Sequence, residues 1–159
     1  MSLTDIFATF FTAMVPVGEL RAAIPLGIIS HDLSWQWTYL WAVLGNMVPV
    51  VVLLWGLEPA SKRLLAFPNP AGRFLAWRVE RLRTSSLTRF DRWGPVLLIP
   101  FVAIPLPITG AWSGCLAAWA FGLRRVPSLL AIFIGVLIAG AIVTTIVELA
   151  VDFPFIDSD

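Results

Sequence analysis

Apolar residues run through this chain in four long blocks, and the blocks differ in what interrupts them. Residues 35–57 contain no charged side chain, and residues 126–151 contain only Glu148, near the end. Each exceeds the roughly 20 apolar residues that cross about 30 Å of hydrocarbon, so each is predicted to be a transmembrane helix. Residues 5–30 are interrupted by Pro16, Gly18, Pro25 and Gly27, with Glu19 and Arg21 between them. Residues 94–123 are uncharged but hold Pro95, Pro100, Pro105 and Pro107, then Thr109-Gly110. Proline removes a backbone donor and crowds the preceding helical turn. Each of these two blocks is therefore predicted to be a pair of short helices joined by an irregular tip. The breaks fall at Pro16, Gly18 and Pro25 in one and at Pro105 and Pro107 in the other. Irregular backbone at membrane depth requires burial by protein or contact with water.

Composition strengthens the membrane reading. The chain has 159 residues, 58% of them hydrophobic and only 13% charged, where a soluble domain carries about a quarter charged residues. The eight Trp residues suit the membrane–water interface. No Lys or Arg precedes the first apolar block, so a secretory signal is not expected there. The single Cys115 excludes an internal disulfide, and one Cys with one His leaves no zinc-type cluster, so no metal or cofactor is expected. A net charge of +1 gives no reason to expect a nucleic-acid partner. An enzyme is the least expected class, since His31 has no paired nucleophile.

Basic residues set the sidedness. Residues 58–93 hold Lys62, Arg63, Arg73, Arg78, Arg81, Arg83, Arg89 and Arg92, eight of the eleven Lys and Arg, and are predicted to be a cytoplasmic connector. Arg124 and Arg125 stay on that side only if residues 94–123 enter the membrane and return. At the other end, Asp5, Asp32 and the C-terminal tail 152–159 fall outside. The fold expected is an all-α integral membrane domain over residues 1–159, in two halves. The first, 1–57, has a re-entrant hairpin at 5–30 and a span at 35–57. The second, 94–151, has a hairpin at 94–123 and a span at 126–151. The alternative is four ordinary crossings. Within the connector, Phe74, Leu75, Val79 and Leu82 share a helical arc opposite Arg73, Glu80 and Arg83. That pattern predicts an interfacial amphipathic helix on anionic lipid; a solvated basic loop is the alternative.

The two halves would be related by an inverted repeat. AIPL occurs at 23–26 and again at 103–106, and an offset of 90 pairs Gly45 with Gly135 and Glu58 with Glu148. Inverted repeats with broken helices place binding sites near the midplane. Glu19 and Arg21 fall at that depth, where an unpaired charge costs at least about 2.5–3.5 kcal/mol on insertion scales. In an extended tip the two side chains can share one side, as a pair that pins the tip or as a working site. Asn46, between Gly45 and Pro49, is a candidate ligand or an interhelical hydrogen-bonding residue. Thr109 offers a hydroxyl or a helix cap, and Gly110 exposed backbone. Helix N-termini at both tips carry free N–H groups and partial positive charge. Together with Arg21 they suit an anionic group.

GELRAAIPLG (18–27), followed by PLPITGAW (105–112), resembles the small multidrug export proteins, which look like distant relatives of the DedA (VTT-domain) membrane proteins. The resemblance covers nearly the whole chain. It implies two re-entrant hairpins, each packed on a following span, and Glu19 and Arg21 as the functional acid and arginine. Three functions are carried forward. The first is a proton-coupled secondary transporter of a small amphiphilic or anionic substrate, with Glu19 as coupling acid and Arg21 as anchor. The second is a flippase or scramblase for an anionic lipid headgroup, such as a polyprenyl phosphate or phospholipid. The third is a non-transporting scaffold. The expected location is a prokaryotic cytoplasmic membrane, with lipids, substrate and protons as partners. Two hairpins and two spans bury little polar backbone alone, which makes a homodimer the expected assembly.

Overall fold

The computed structural model describes residues 2–65, 90–105 and 109–152, and among them every regular element is a helix. Helix α1 spans Leu3–Met14. Helix α2 spans Glu19–Pro25 and continues as a π-helical turn over Leu26–Ser30. Helix α3 spans Trp35–Leu65, α4 spans Phe90–Ala103, α5 spans Ala111–Ala120 and α6 spans Arg125–Asp152. The order is thus two short helices and a long one, twice over. Trp35–Arg63 and Arg125–Asp152 are long and apolar enough to cross a membrane. The short helices are not. The 12 residues of α1 extend about 18 Å, the 14 of α4 about 21 Å and the 10 of α5 about 15 Å.

The chain starts α1 with a capping box. Ser2 Oγ accepts from the Thr4 N–H, and Asp5 returns a carboxylate to the Ser2 N–H. Pro16, Val17 and Gly18 form the turn that follows, and the chain doubles back. The far end of this segment returns to its beginning, with His31 Nδ1 3.4 Å from Asp5 Oδ1.

The long helices run antiparallel. Tyr39 donates its hydroxyl to the Leu137 carbonyl at 3.0 Å, while at the other end Arg125 meets Glu58, which also holds Lys62 at 3.1 Å. Helix α5 runs back to this second end, where Trp119, Gly122 and Arg125 share a cavity with Leu54 and Glu58. Helix α2 packs between α3 and α6, burying Leu20, Ala23 and Ile24. The core is built from these residues with Val43, Val50, Val102, Cys115, Ile132 and Val136.

Glycines let the short helices approach the long ones. A Cβ at Gly45 would lie 3.0 Å from the Phe10 carbonyl carbon and 3.1 Å from Ala13 Cβ, so α1 lies directly against α3. A Cβ at Gly135 would lie 3.0 Å from the Ile99 carbonyl oxygen and 2.7 Å from Val102 Cβ, so α4 lies against α6 in the same way. The sequence pairing of Gly45 with Gly135 therefore lands on two positions with one packing role.

Other expectations need correction. The two AIPL copies are not structural counterparts. Residues 23–26 close the second short helix of their half, whereas Ala103 ends the first short helix of the other. Gly18 and Gly110 instead share a place, each the residue before a second short helix. Pro25 does not break the hairpin. It lacks the N–H that would bond one turn back, and the helix widens into a π-turn, with His31 N bonding the Leu26 carbonyl at 3.1 Å. Nor do Glu19 and Arg21 sit in an extended tip: the turn closes at Gly18, and both belong to the first turn of α2. Helix α3 passes through Pro49 and Pro59 and runs to Leu65, beyond the 35–57 span and into the connector. Pro107, the amphipathic arc Phe74–Leu82 and the tail from residue 153 lie outside the described residues.

Candidate functional site

The two turns meet. Glu19 stands at the start of α2, 8% exposed, with φ at +48°. The left-handed region is uncommon for a residue with a side chain and costs about 1–2 kcal/mol. What the conformation achieves is visible at the carboxylate. Oε2 accepts from the Ala111 N–H at 3.2 Å, and Oε1 accepts from the Trp112 N–H at 3.1 Å. These are the first N–H groups of α5, which the helix cannot satisfy internally. The carboxylate sits on the positive end of the helix dipole, where an anion is stabilised.

Arg21 reaches the same turn. Its Nη2 donates to the Thr109 carbonyl and lies 3.4 Å from Thr109 Oγ1. The Thr109 hydroxyl in turn donates to the Ile104 carbonyl at 2.6 Å. Among the described residues Glu19 and Arg21 are not an ion pair with each other. Each is instead bonded to the opposite half of the chain. Gly110 joins the two contacts. At φ +155° it holds a backbone conformation that side-chain-bearing residues rarely adopt, and a Cβ there would lie 2.7 Å from Glu19 Cδ. Only glycine leaves room for the carboxylate.

A cavity of about 230 Å³ opens beside this contact, lined by Gly18, Glu19, Arg21, Thr109, Trp112 and Ser113 among others. The Trp112 indole N–H is buried with no hydrogen-bond partner among the described residues, and the Ser113 hydroxyl donates to the Gly110 carbonyl at 3.1 Å. Such a lining, closed on one side by a carboxylate, suits either Glu19 itself or another anion in its place.

Of the sequence candidates, Glu19, Arg21, Thr109 and Gly110 come together here; Pro16 lies at the cavity's rim. Asn46 does not line this cavity. It is 1% exposed, and neither its amide oxygen nor its nitrogen has a hydrogen-bond partner among the described residues. Its level in the bundle is nonetheless that of the site. Cys115 Sγ lies 3.8 Å from the Val50 carbonyl, and one turn back on both helices sets Ala111 level with Asn46. A buried amide without partners costs about 1–3 kcal/mol. Asn46→Leu, close in volume, is expected to raise stability by about that amount, read as a higher midpoint of thermal unfolding in detergent. An unchanged or lower midpoint would mean that the amide is satisfied in the folded protein.

Sequence reasoning missed the partners of Glu19. Ala111 and Trp112 contribute main-chain N–H groups, which no residue type announces. Trp112 and Ser113 as lining residues had one available signal, their place directly after Thr109-Gly110.

A family model described as "Putative small multi-drug export protein" matches residues 19–142, which is more than half of the chain and includes every residue of the site named above from Glu19 to Ser113. No curated protein and no solved structure matches the chain.

Proposed function

The chain belongs to the small multi-drug export protein family, and from that premise we propose that it is a proton-coupled membrane transporter of a small amphiphilic anion, with Glu19 as the coupling acid and Arg21 as the anchor. The observation that carries this reading is the Glu19 carboxylate seated on the Ala111 and Trp112 N–H groups. An anionic group of a substrate would need those same donors.

Ionised, Glu19 accepts both N–H bonds and latches the two halves together. A proton on the carboxyl removes the charge and weakens both bonds, since charge-assisted hydrogen bonds are roughly twice as strong as neutral ones. The freed N–H groups, the Trp112 indole and Arg21 then receive the substrate's anionic group. Loss of the proton returns Glu19 to the N–H groups and expels the anion. Proton and anion therefore travel together, and export runs where the outward substrate gradient exceeds the opposing proton gradient.

The same geometry supports a membrane placement. The first short-helix pair returns to its own starting end through Asp5–His31, and α5 returns to the opposite end at Arg125. None of the short helices is long enough to span about 30 Å. These features support two re-entrant hairpins entering from opposite faces, as an inverted repeat. Charge supports the orientation. The end bearing Asp5, Asp32, Glu148 and Asp152 is acidic. The end bearing Lys62, Arg63, Arg124 and Arg125 is basic and belongs in the cytoplasm.

The test uses liposomes holding the purified protein and an internal pH dye. Addition of hexyl phosphate, an amphiphilic anion, is expected to drive protons inward with it. Glu19→Gln, which keeps the shape and loses the titratable group, is expected to abolish that proton movement. Proton influx at the wild-type rate in the variant would end the reading. A second reading, translocation of an anionic lipid headgroup, draws on the cavity's apolar lining, where Val17 is 95% and Leu116 49% exposed. It is tested by leaflet exchange of fluorescent phosphatidylglycerol without a pH gradient.

A further inference from the structure

A third cavity, lined by none of the residues around Glu19, lies at the acidic end of the bundle. It has a volume of 360 Å³ and is lined by Trp35 and Tyr39 of α3 facing Thr144, Glu148 and Asp152 of α6. Trp35 and Tyr39 are four residues apart, and so are Thr144, Glu148 and Asp152. Such residues stack along one face of a helix. An aromatic ladder therefore faces a ladder of one hydroxyl and two carboxylates. The Tyr39 ring is fixed in place by the hydroxyl bond to Leu137.

Three features define what fits. Neither Glu148 nor Asp152 forms an ion pair among the described residues, and no basic side chain lines the cavity. Thr144 is 7% exposed, and its Oγ1 has no hydrogen-bond partner among the described residues. A buried hydroxyl without a partner is a loss that a donor or acceptor on a ligand would repair. The volume is that of a site for a small organic molecule.

We propose that this cavity binds an organic ammonium ion with an apolar body. The ammonium lies between the Glu148 and Asp152 carboxylates, donates to Thr144 Oγ1 and rests its charge on the Trp35 and Tyr39 rings. Cations bind aromatic faces most strongly at Trp, and ammonium–carboxylate hydrogen bonds are of the strong, charge-assisted kind. The apolar body lies along Ala141 and Leu149. The same chemistry can come from a free amine or from the headgroup of an amino phospholipid. The site does not depend on the proposed role of Glu19.

Equilibrium dialysis of the purified protein in neutral detergent, against empty micelles, tests this with 4-phenylbutylammonium. Saturable binding of one ion per chain is expected, and 4-phenylbutanol, uncharged and of similar shape, should not compete. Glu148→Gln with Asp152→Asn is expected to weaken binding about tenfold or more, and Trp35→Leu several-fold, with thermal unfolding unchanged. Glu19→Gln should bind as the wild type does, so loss of proton coupling and loss of amine binding are separable. Protein in phosphatidylethanolamine nanodiscs that no longer takes up the free amine identifies the lipid headgroup as occupant. Uptake that persists there identifies the free amine. Equal binding by the double carboxylate variant, or competition by the alcohol, would overturn the assignment.

Discussion

Gly110→Ala is expected to destabilise the folded protein by about 4 kcal/mol or more and to eliminate transport. Two costs combine. A residue with a side chain in this region of backbone space is strained by about 1–3 kcal/mol. The new Cβ would also lie 2.7 Å from both Glu19 Cδ and Oε1, so the carboxylate must leave. Its departure strips the Ala111 and Trp112 N–H groups of their acceptor, and hydrogen bonds to charged groups contribute about 1.5–3 kcal/mol each. Thermal unfolding in detergent measures the first effect, and the liposome proton assay the second. A double substitution distinguishes clash from strain. Once Gly110→Ala has displaced the carboxylate, adding Glu19→Ala should cost little more, because residues in contact are not additive. Fully additive losses would place the two residues in separate roles.

Gly45→Leu and Gly135→Leu are expected to lose about 3 kcal/mol each, and to do so alike. In both cases the obstacle is a neighbouring helix backbone, the Phe10 and Ile99 carbonyls, which cannot rotate aside as a side chain can. The short helix must move bodily away from the long one. Helix propensity works the other way, since glycine is about 1 kcal/mol worse than alanine in a helix interior. Gly56 supplies the control: a Cβ there has nothing within 4 Å, so Gly56→Ala is expected to be neutral or mildly stabilising. A large loss at Gly45 with none at Gly135, measured by thermal unfolding, would show that the two halves are not built alike.

Much of this fold was legible in the sequence, for physical reasons that differ by element. The long helices announced themselves because hydrocarbon tolerates no charge, and residues 35–57 have none. The turn at Pro16–Gly18 was legible because those residues restrict or release the backbone. Gly45 and Gly135 matched at one offset because close backbone contact excludes larger residues. The AIPL match misled because a proline with apolar neighbours serves equally to end one helix and to widen another. At the site, Glu19 and Arg21 stood out through the cost of charge among apolar residues. Their partners did not, because peptide groups at Thr109, Ala111 and Trp112 are common to every sequence. Only the fold brings a helix start to face a carboxylate about 90 residues away.

That separation bears on how the protein is made. The Thr109 contact of Arg21 lies 88 residues later in the chain, and the partners of Glu19 lie 92 and 93 residues later. Translation at about 5–20 residues per second takes roughly 5–20 seconds to cover that length. During that interval neither charged side chain has its contact with the second half of the chain. Leaving them unpaired in hydrocarbon would cost at least about 2.5–3.5 kcal/mol for each. On the re-entrant placement proposed above, the first helical pair is therefore expected to wait at the lipid headgroups while the ribosome finishes. It sinks to its final depth only when α5 arrives, so that biosynthesis ends with the beginning of the chain.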